Sequence, residues 1–393
     1  MKLSANNINS NAEFTPVSIL YLLLLALNYA LMPRLSKRYI HPNTNKQSVA
    51  LAEEVVKMGM GLSGWVFSGY YAAASSSSSL SSSSPLINDS YNSSLQQSTA
   101  SDVQTTISVL QEQLQDWTPL STLIAAGIPS ALYALQGTLT YYAYQNLDAV
   151  TYNGLTQLKV LSSALCCYII LNKRQSAVQM ISLGLLMASS VVFQGSWKDW
   201  IRRSSTNSCS STSNQSKSNM NNNNHRVLLM GVLPCLTATL LSGLAGALSQ
   251  RSLQTQVGGM MHRDAYFYTV EISFLSAMCL VISMSLEYWQ QRNNRRSIAN
   301  GKSDDVVSSN PLPSFFQHWT YATLIPITTK ATAGLLTALV HRHLGSVVKG
   351  FALVLGLVFS ALLQFTLEGV DLTVGQLVGT ALVLFSSYLH FTG

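Results

Sequence analysis

The sequence predicts an all-α integral membrane protein of ten transmembrane helices, built as two inverted five-helix repeats. Three observations lead there. Of 393 residues, 48% are hydrophobic and only 10% charged, whereas a soluble chain is about a quarter charged. The apolar residues run in blocks near the ~20 residues a helix needs to cross hydrocarbon. Five blocks precede a polar tract at 204–224 and five follow it. An odd number per half means that any two-fold repeat is inverted in the membrane.

The first repeat is expected over residues 1–203, with spans at Val17–Met32, Ala50–Ala74, Leu120–Tyr144, Ala149–Leu171 and Ala177–Gln194. No small-residue cleavage site follows the apolar run Leu20–Leu27, so the first span reads as an anchor, not a cleaved signal. Ser75–Asp102 is a Ser-rich insert with sequons at Asn88 and Asn92. Too few apolar side chains are present to offset the entropy of ordering it. Val103, Ile107, Leu110, Leu114 and Trp117 recur at steps of four and three, which predicts a short amphipathic helix lying on the membrane. A linker at 204–226, with a sequon at Asn214, leads to the second repeat at 227–393. Its spans are Val227–Leu248, Ala265–Leu286, Trp319–Val340, Val347–Leu367 and Leu372–Phe391, with a polar loop at Gln290–Pro313. Pro129, Pro234 and Pro326 interrupt spans, as is common where neighbouring helices satisfy the freed backbone.

The net charge of +7 lies mostly in loops, which indicates membrane-surface electrostatics rather than nucleic-acid binding. Arg34, Lys37, Arg38, Lys46, Lys198, Arg202, Arg203, Arg292, Arg295 and Arg296 all flank one side of the predicted bundle. By the positive-inside rule that side is cytoplasmic and both termini lie opposite. The five cysteines have no metal spacing, and His341 and His343 lack acidic or thiol companions. Neither a Walker loop, a nucleophile elbow nor a pair of catalytic carboxylates is found, so no cofactor and no enzymatic activity is expected.

Lysines inside the apolar blocks carry the functional reading. One at the bilayer centre costs roughly 2.5–3.5 kcal/mol and rarely persists without a partner. Lys57, Lys159 and Lys349 are such residues, and Arg342 lies seven before Lys349, hence on one helical face with it. Tyr152, Thr156 and Lys159 form a polar stripe at i, i+4 and i+7. A cation with hydroxyl donors suits a phosphate. The other reading pairs Lys159 with an acid elsewhere in the bundle.

Residues 131–171 (ALYALQGTLTYYAYQNLDAVTYNGLTQLKVLSSALCCYIIL) resemble the third and fourth helices of nucleotide-sugar transporters, within the drug/metabolite transporter superfamily. The nearest branch looks like that of the CMP-sialic acid, UDP-galactose and UDP-N-acetylglucosamine carriers. The likeness continues through Glu54-Val-Val-Lys57, Ser242-Gly-Leu-Ala-Gly246 and Lys349-Gly-Phe. It implies that Tyr152 and Lys159 hold the nucleotide phosphates, that Lys349 is the second-half lysine of the same cavity, and that Glu54 and Lys57 form an acid–base pair near the sugar. Ser242, Gly243 and Gly246 match a small-residue stretch that serves either close approach to a ligand or helix packing. Ser276 matches a serine near the base, and Phe274 stands where tyrosine is usual. Gln136-Gly137-Thr138 replaces Gln-Asn-Asn, with Gln136 and Thr138 as substrate contacts. Thr269-Val270-Glu271-Ile272 replaces Arg-Asn-Ile-Gln, Gln250-Arg251 replaces Glu-Lys, and Arg342-His343-Leu344-Gly345-Ser346 replaces Lys-Tyr-x-Asp-Asn.

The resemblance implies both termini in the cytosol, against the charge distribution. It also implies an antiporter of the Golgi membrane, or the endoplasmic reticulum, exchanging a pyrimidine nucleotide sugar for a nucleoside monophosphate. A carrier of another anion, such as a sugar phosphate, and a non-transporting scaffold for a glycosyltransferase are the rivals. Gly375-Gln-Leu-Val-Gly379 reads either as a homodimer seam or as packing within one chain.

Overall fold

The computed structural model describes residues 15–41, 44–80, 106–108, 110–111, 114, 117–147, 152, 155–172, 174–193, 228–254, 263–300, 315–316, 318–369 and 371–392. Among these there is helix and no strand. The helices are α1 (Pro16–Tyr39), α2 (Lys46–Leu80), α3 (Pro119–Thr122, a π turn Leu123–Gly127, then Ile128–Asn146), α4 (Leu158–Leu171) and α5 (Ala177–Phe193). They continue with α6 (a π turn Leu228–Val232, then Leu233–Gln254), α7 (Ala265–Asn300), α8 (a 3-10 turn Tyr321–Thr323, then Leu324–His343), α9 (Ser346–Glu368) and α10 (Val374–Thr392). Among the described residues, seven helices (α1, α3 and α6–α10) are long and apolar enough to cross a membrane. The chain is therefore a multi-pass membrane protein. Two shorter apolar helices are α4 and α5, with 14 and 17 residues.

Local sequence sets the helix ends. Thr15 Oγ1 accepts from Ser18 N at 3.2 Å before Pro16. Asp264 Oδ1 takes the first free amides of α7, from Tyr266 at 2.8 Å and Phe267 at 3.3 Å. The starts of α5 and α10 use the same reciprocal box. Ser176 and Gln179 exchange bonds of 3.1 and 3.0 Å, and Thr373 and Gln376 exchange bonds of 3.3 and 2.9 Å. Asn172 (φ 54) ends α4 and Gly369 (φ 64) ends α9 in left-handed backbone.

Several expectations are corrected. The predicted loops begin late, because α2 runs through 75–80 and α7 through 290–300. A nucleated helix propagates at little cost through Ser, Gln and Arg. The predicted span from Ala149 is interrupted. Tyr152, Leu155 and Thr156 are helical, Gln157 is a turn, and α4 begins at Leu158. Asn153 and Gly154 are poor helix formers, and Val160 N bonds Gln157 O at 3.2 Å in the tighter i+3 pattern. Arg342 and Lys349 do not share a helical face. Gly345, at φ +92 and ψ 174, separates α8 from α9 in a conformation open essentially to glycine alone. Residues 106–108, 110–111 and 114 are helical as the amphipathic pattern predicts, but Trp117 at its end is not, while Val103, residues 81–102 and 301–313 of the inserts, the linker and the sequons lie outside the described residues.

The chain divides into two compact units, and neither is a sequence half. One takes Met1–Pro33, Leu135–Gln254 and Leu339–Gly393, and the other Arg34–Ala134 and Thr255–Ala338. In the first, α9 is the central element, and Val347, Phe351, Val354 and Val358 pack with Val160 and Cys167 of α4, Leu183 and Leu186 of α5 and Val383 of α10. The Gly375/Gly379 pair lies against α5 of the same chain. A Cβ on Gly379 would stand 2.8 Å from Phe193 Cβ, and one on Gly375 3.0 Å from Val192 O. Packing within one chain is thus the use the structure makes of this motif. In the second unit α2 and α7 run together at Gly61 and Gly64, where a Cβ would stand 2.9 Å from Val270 and 2.4 Å from the Tyr266 ring.

Candidate functional site

Three helices of the first unit enclose a small cavity. Lys159, Val160 and Ser163 line it from α4, Ser242 and Gly246 from α6, and Ser346, Lys349, Gly350 and Leu353 from α9. Each set follows helical spacing of three, four or seven, so one face of each helix turns inward. Two ammonium groups and three hydroxyls therefore meet here, one lysine from each half of the sequence. Among the described residues lining the cavity none is acidic. Ser242 is buried, and its Oγ has no hydrogen-bond partner among the described residues. A buried donor left unpaired costs ~1–3 kcal/mol, which a ligand oxygen would recover. The cavity holds about 20 Å³, room for about one water.

The glycine stretch of α6 divides between cavity lining and helix packing. Gly246 lines the cavity. Gly243 is a packing position: a Cβ there would stand 2.2 Å from Ser162 Oγ and 2.7 Å from the Ser162 carbonyl carbon. Ser162 Oγ, thus pressed on α6, donates to Thr239 O at 3.0 Å.

Glu54 and Lys57 pair as expected, with Nζ 2.9 Å from Oε1, but within a larger group. Glu53 stands 3.7 Å from Lys57 and 3.7 Å from Lys330 of α8. Two carboxylates and two ammonium groups thus balance inside the second unit. The Lys57 stem crosses Gly334, where a Cβ would stand 2.5 Å from its Cε. Lys330 and Glu53 were missed by the sequence reading, although Lys330 sits inside an apolar block just as Lys57 does.

A second buried network surrounds Glu271. Its carboxylate accepts from Trp117 Nε1 at 3.0 Å, from Thr122 Oγ1 at 2.7 Å and from Arg263, whose other terminal nitrogen donates to Ser121 Oγ at 2.8 Å. This network joins the start of α3 to the start of α7. Of the remaining expected contacts, Tyr152 and Gln136 are half-buried and Thr138 is exposed, all in the first unit and outside the cavity lining. Phe274, 53% exposed, and the half-buried Ser276 lie on α7 in the second unit.

Comparisons with known proteins bear on the family of the chain. The profile of the family described as nucleotide-sugar transporter matches residues 92–391. A UDP-N-acetylglucosamine transporter of Arabidopsis thaliana is 30% identical over 390 residues, spanning 98% of this chain and 95% of that one. The UDP-N-acetylglucosamine transporter of Mus musculus is 27% identical over 69% of this chain and 72% of its own. The UDP-galactose translocator of the same species is 26% identical over 67% of this chain and 57% of its own.

Proposed function

Because this chain belongs to the nucleotide-sugar transporter family, whose members are carriers and not enzymes, we propose that it exchanges a cytosolic UDP-sugar for a luminal nucleoside monophosphate across the Golgi membrane. The choice of UDP over CMP leans on the relatives, two of which carry UDP-N-acetylglucosamine by name. The single observation behind the site assignment is the shared cavity of Lys159, Lys349 and the unpaired Ser242 hydroxyl. Phosphate oxygens there gain two cations and a waiting donor. Tyr152 is assigned to the same phosphates, and Glu54 with Lys57 to the sugar end. Gln136, Thr138, Phe274 and Ser276 are assigned to the sugar and base on the resemblance alone.

The architecture proposed is ten spans in two inverted five-helix repeats that rock about a midplane site. The matching Ser176–Gln179 and Thr373–Gln376 boxes, which open the fifth helix of each half, support it. The test is uptake of labelled UDP-N-acetylglucosamine into proteoliposomes. UMP preloaded inside should accelerate uptake, and Lys159→Ala or Lys349→Ala should abolish it. Equal rates in empty and preloaded vesicles would remove the exchange mechanism, and acceleration by CMP alone would reassign the base.

A further inference from the structure

Two glutamines one turn apart on α6 hold the corner from which the cavity's second lysine projects. Gln254 Nε2 donates to His341 O at 2.7 Å and to Arg342 O at 3.0 Å, carbonyls that the end of α8 leaves without helical partners. Gln250 Oε1 accepts from Ser346 N at 2.8 Å, the first amide of α9, and from Cys167 Sγ at 3.4 Å. Between the two, Gln250 Nε2 donates to Gln254 Oε1 at 2.7 Å. Gln250 is 5% exposed.

The backbone dictates the orientation of both amides. Ser346 N–H can only donate, so Gln250 must turn its oxygen toward it and its nitrogen toward Gln254. Carbonyls can only accept, so Gln254 must turn its nitrogen toward α8 and its oxygen toward Gln250. Each side chain is donor and acceptor at once, and only an amide fills both roles. A carboxylate at 250 would face the Gln254 oxygen, or force Gln254 to turn and release two helix-end carbonyls. Gly345 completes the fit, because a Cβ at that φ +92 residue would stand 2.7 Å from Gln250 Nε2.

We propose that Gln250 and Gln254 form a neutral amide staple that positions the start of α9, and through it Lys349, toward the anion-binding cavity. Ser346 and Lys349 both line that cavity, so the staple grips the helix at the site's edge. Its neutrality adds no charge beside the positive end of the α9 dipole, where a phosphate would meet Lys349. A glutamate there would add a competing negative charge. Gln250 and Gln254 are positioning residues. Their role rests on the cavity being the nucleotide site.

The experiment measures UMP binding and the melting temperature of the nucleotide-free form for full-length protein in detergent. Gln250→Glu should raise the UMP Kd at least tenfold. Gln254→Leu, which keeps Gln250 but removes its acceptor and the α8 cap, should raise it at least threefold. Ser386→Ala removes a buried bond to Ser182 O (2.6 Å) elsewhere in the same unit. It should lower the melting temperature and leave Kd unchanged, which separates positioning from general loosening. Wild-type Kd in Gln250→Glu, with binding abolished in Lys349→Ala, overturns the staple alone. Wild-type Kd in Lys349→Ala overturns the cavity assignment and the staple with it. An equal rise in Kd for Ser386→Ala overturns positioning in favour of general stability.

Discussion

Gly243→Ala is the substitution whose cost the structure fixes most closely. The added methyl would stand 2.2 Å from Ser162 Oγ, 2.7 Å from the Ser162 carbonyl carbon and 2.8 Å from Ser163 N. The last two atoms are backbone, so no rotamer change relieves them. Restoring ordinary contact near 3.5 Å moves α4 away from α6 by roughly 0.8 Å, the kind of core overpacking that costs ~1–3 kcal/mol. The same shift stretches the 3.0 Å bond from Ser162 Oγ to Thr239 O, worth ~0.6 kcal/mol between membrane helices. Lys159 and Ser163 are on the displaced helix, so exchange should fall together with stability. Thermal unfolding in detergent and proteoliposome uptake read the two effects. Gly137→Ala, with nothing within 4 Å of the new methyl, serves as control. Adding Ser162→Gly removes the Oγ clash but not the backbone ones, so the double variant should recover less than half of the loss. Wild-type stability in Gly243→Ala, or full rescue by Ser162→Gly, would refute this account.

Glu271→Ala should destabilise the fold by ~3 kcal/mol, because the half-buried Arg263 is left with an unmatched charge; denaturant unfolding in mixed micelles should show the Arg263→Ala double variant less damaged than the sum, and additivity would count against the pair. Gly379→Leu should lower the melting temperature by prying α10 from Phe193, while light scattering finds the oligomeric state unchanged; a change in oligomeric state alone would place the seam between chains. Lys57→Met leaves Glu54 without its 2.9 Å partner, and uptake should drop at least tenfold, with Lys57→Arg recovering part of it. Gly350→Leu puts a side chain where even a Cβ would stand 3.1 Å from the Val160 methyls, beside Lys349; UMP binding should be lost in protein that still folds, and an unchanged Kd would exclude the cavity as the nucleotide site.

What the sequence disclosed depended on the kind of interaction. Lys159 and Lys349 were visible because a charge inside an apolar block is expensive and stands out on composition alone. Glu54 and Lys57 were visible because i, i+3 spacing puts them on one helix face. Lys330 met the same criterion as Lys57 and was passed over, and its partner Glu53 went with it. Gln250 was visible only as a departure from the family's Glu-Lys, and Gln254 left no trace, because both amides are uncharged and their partners are backbone groups 96 and 87 residues away. Arg263 was hidden because it lies just outside the apolar block that contains Glu271. Helix ends misled where composition changes before geometry does, as at 75–80 and 290–300, since helix continuation needs only tolerable propensity. The seven-residue spacing of Arg342 and Lys349 misled for the opposite reason: periodicity holds only within one helix, and Gly345 interrupts it.

The two charged clusters differ in a way that bears on exchange. Around Lys57, two carboxylates answer two ammonium groups, so the charge is balanced without a ligand. Around Lys159 and Lys349, the lining contributes two cations and no acid among the described residues, in a space for about one water. Like charges repel more strongly as water is excluded. A bound diphosphate or monophosphate would reverse the sign of that interaction. On this reading a loaded carrier can close about its guest, whereas an empty one must bring the two lysines into the same confined space with no phosphate between them. The ligand thus has different interaction energies with open and closed forms, which is the condition for its driving the transition. Under the proposed exchange, return without a nucleotide is then the slow step, and the charge of the site is what slows it.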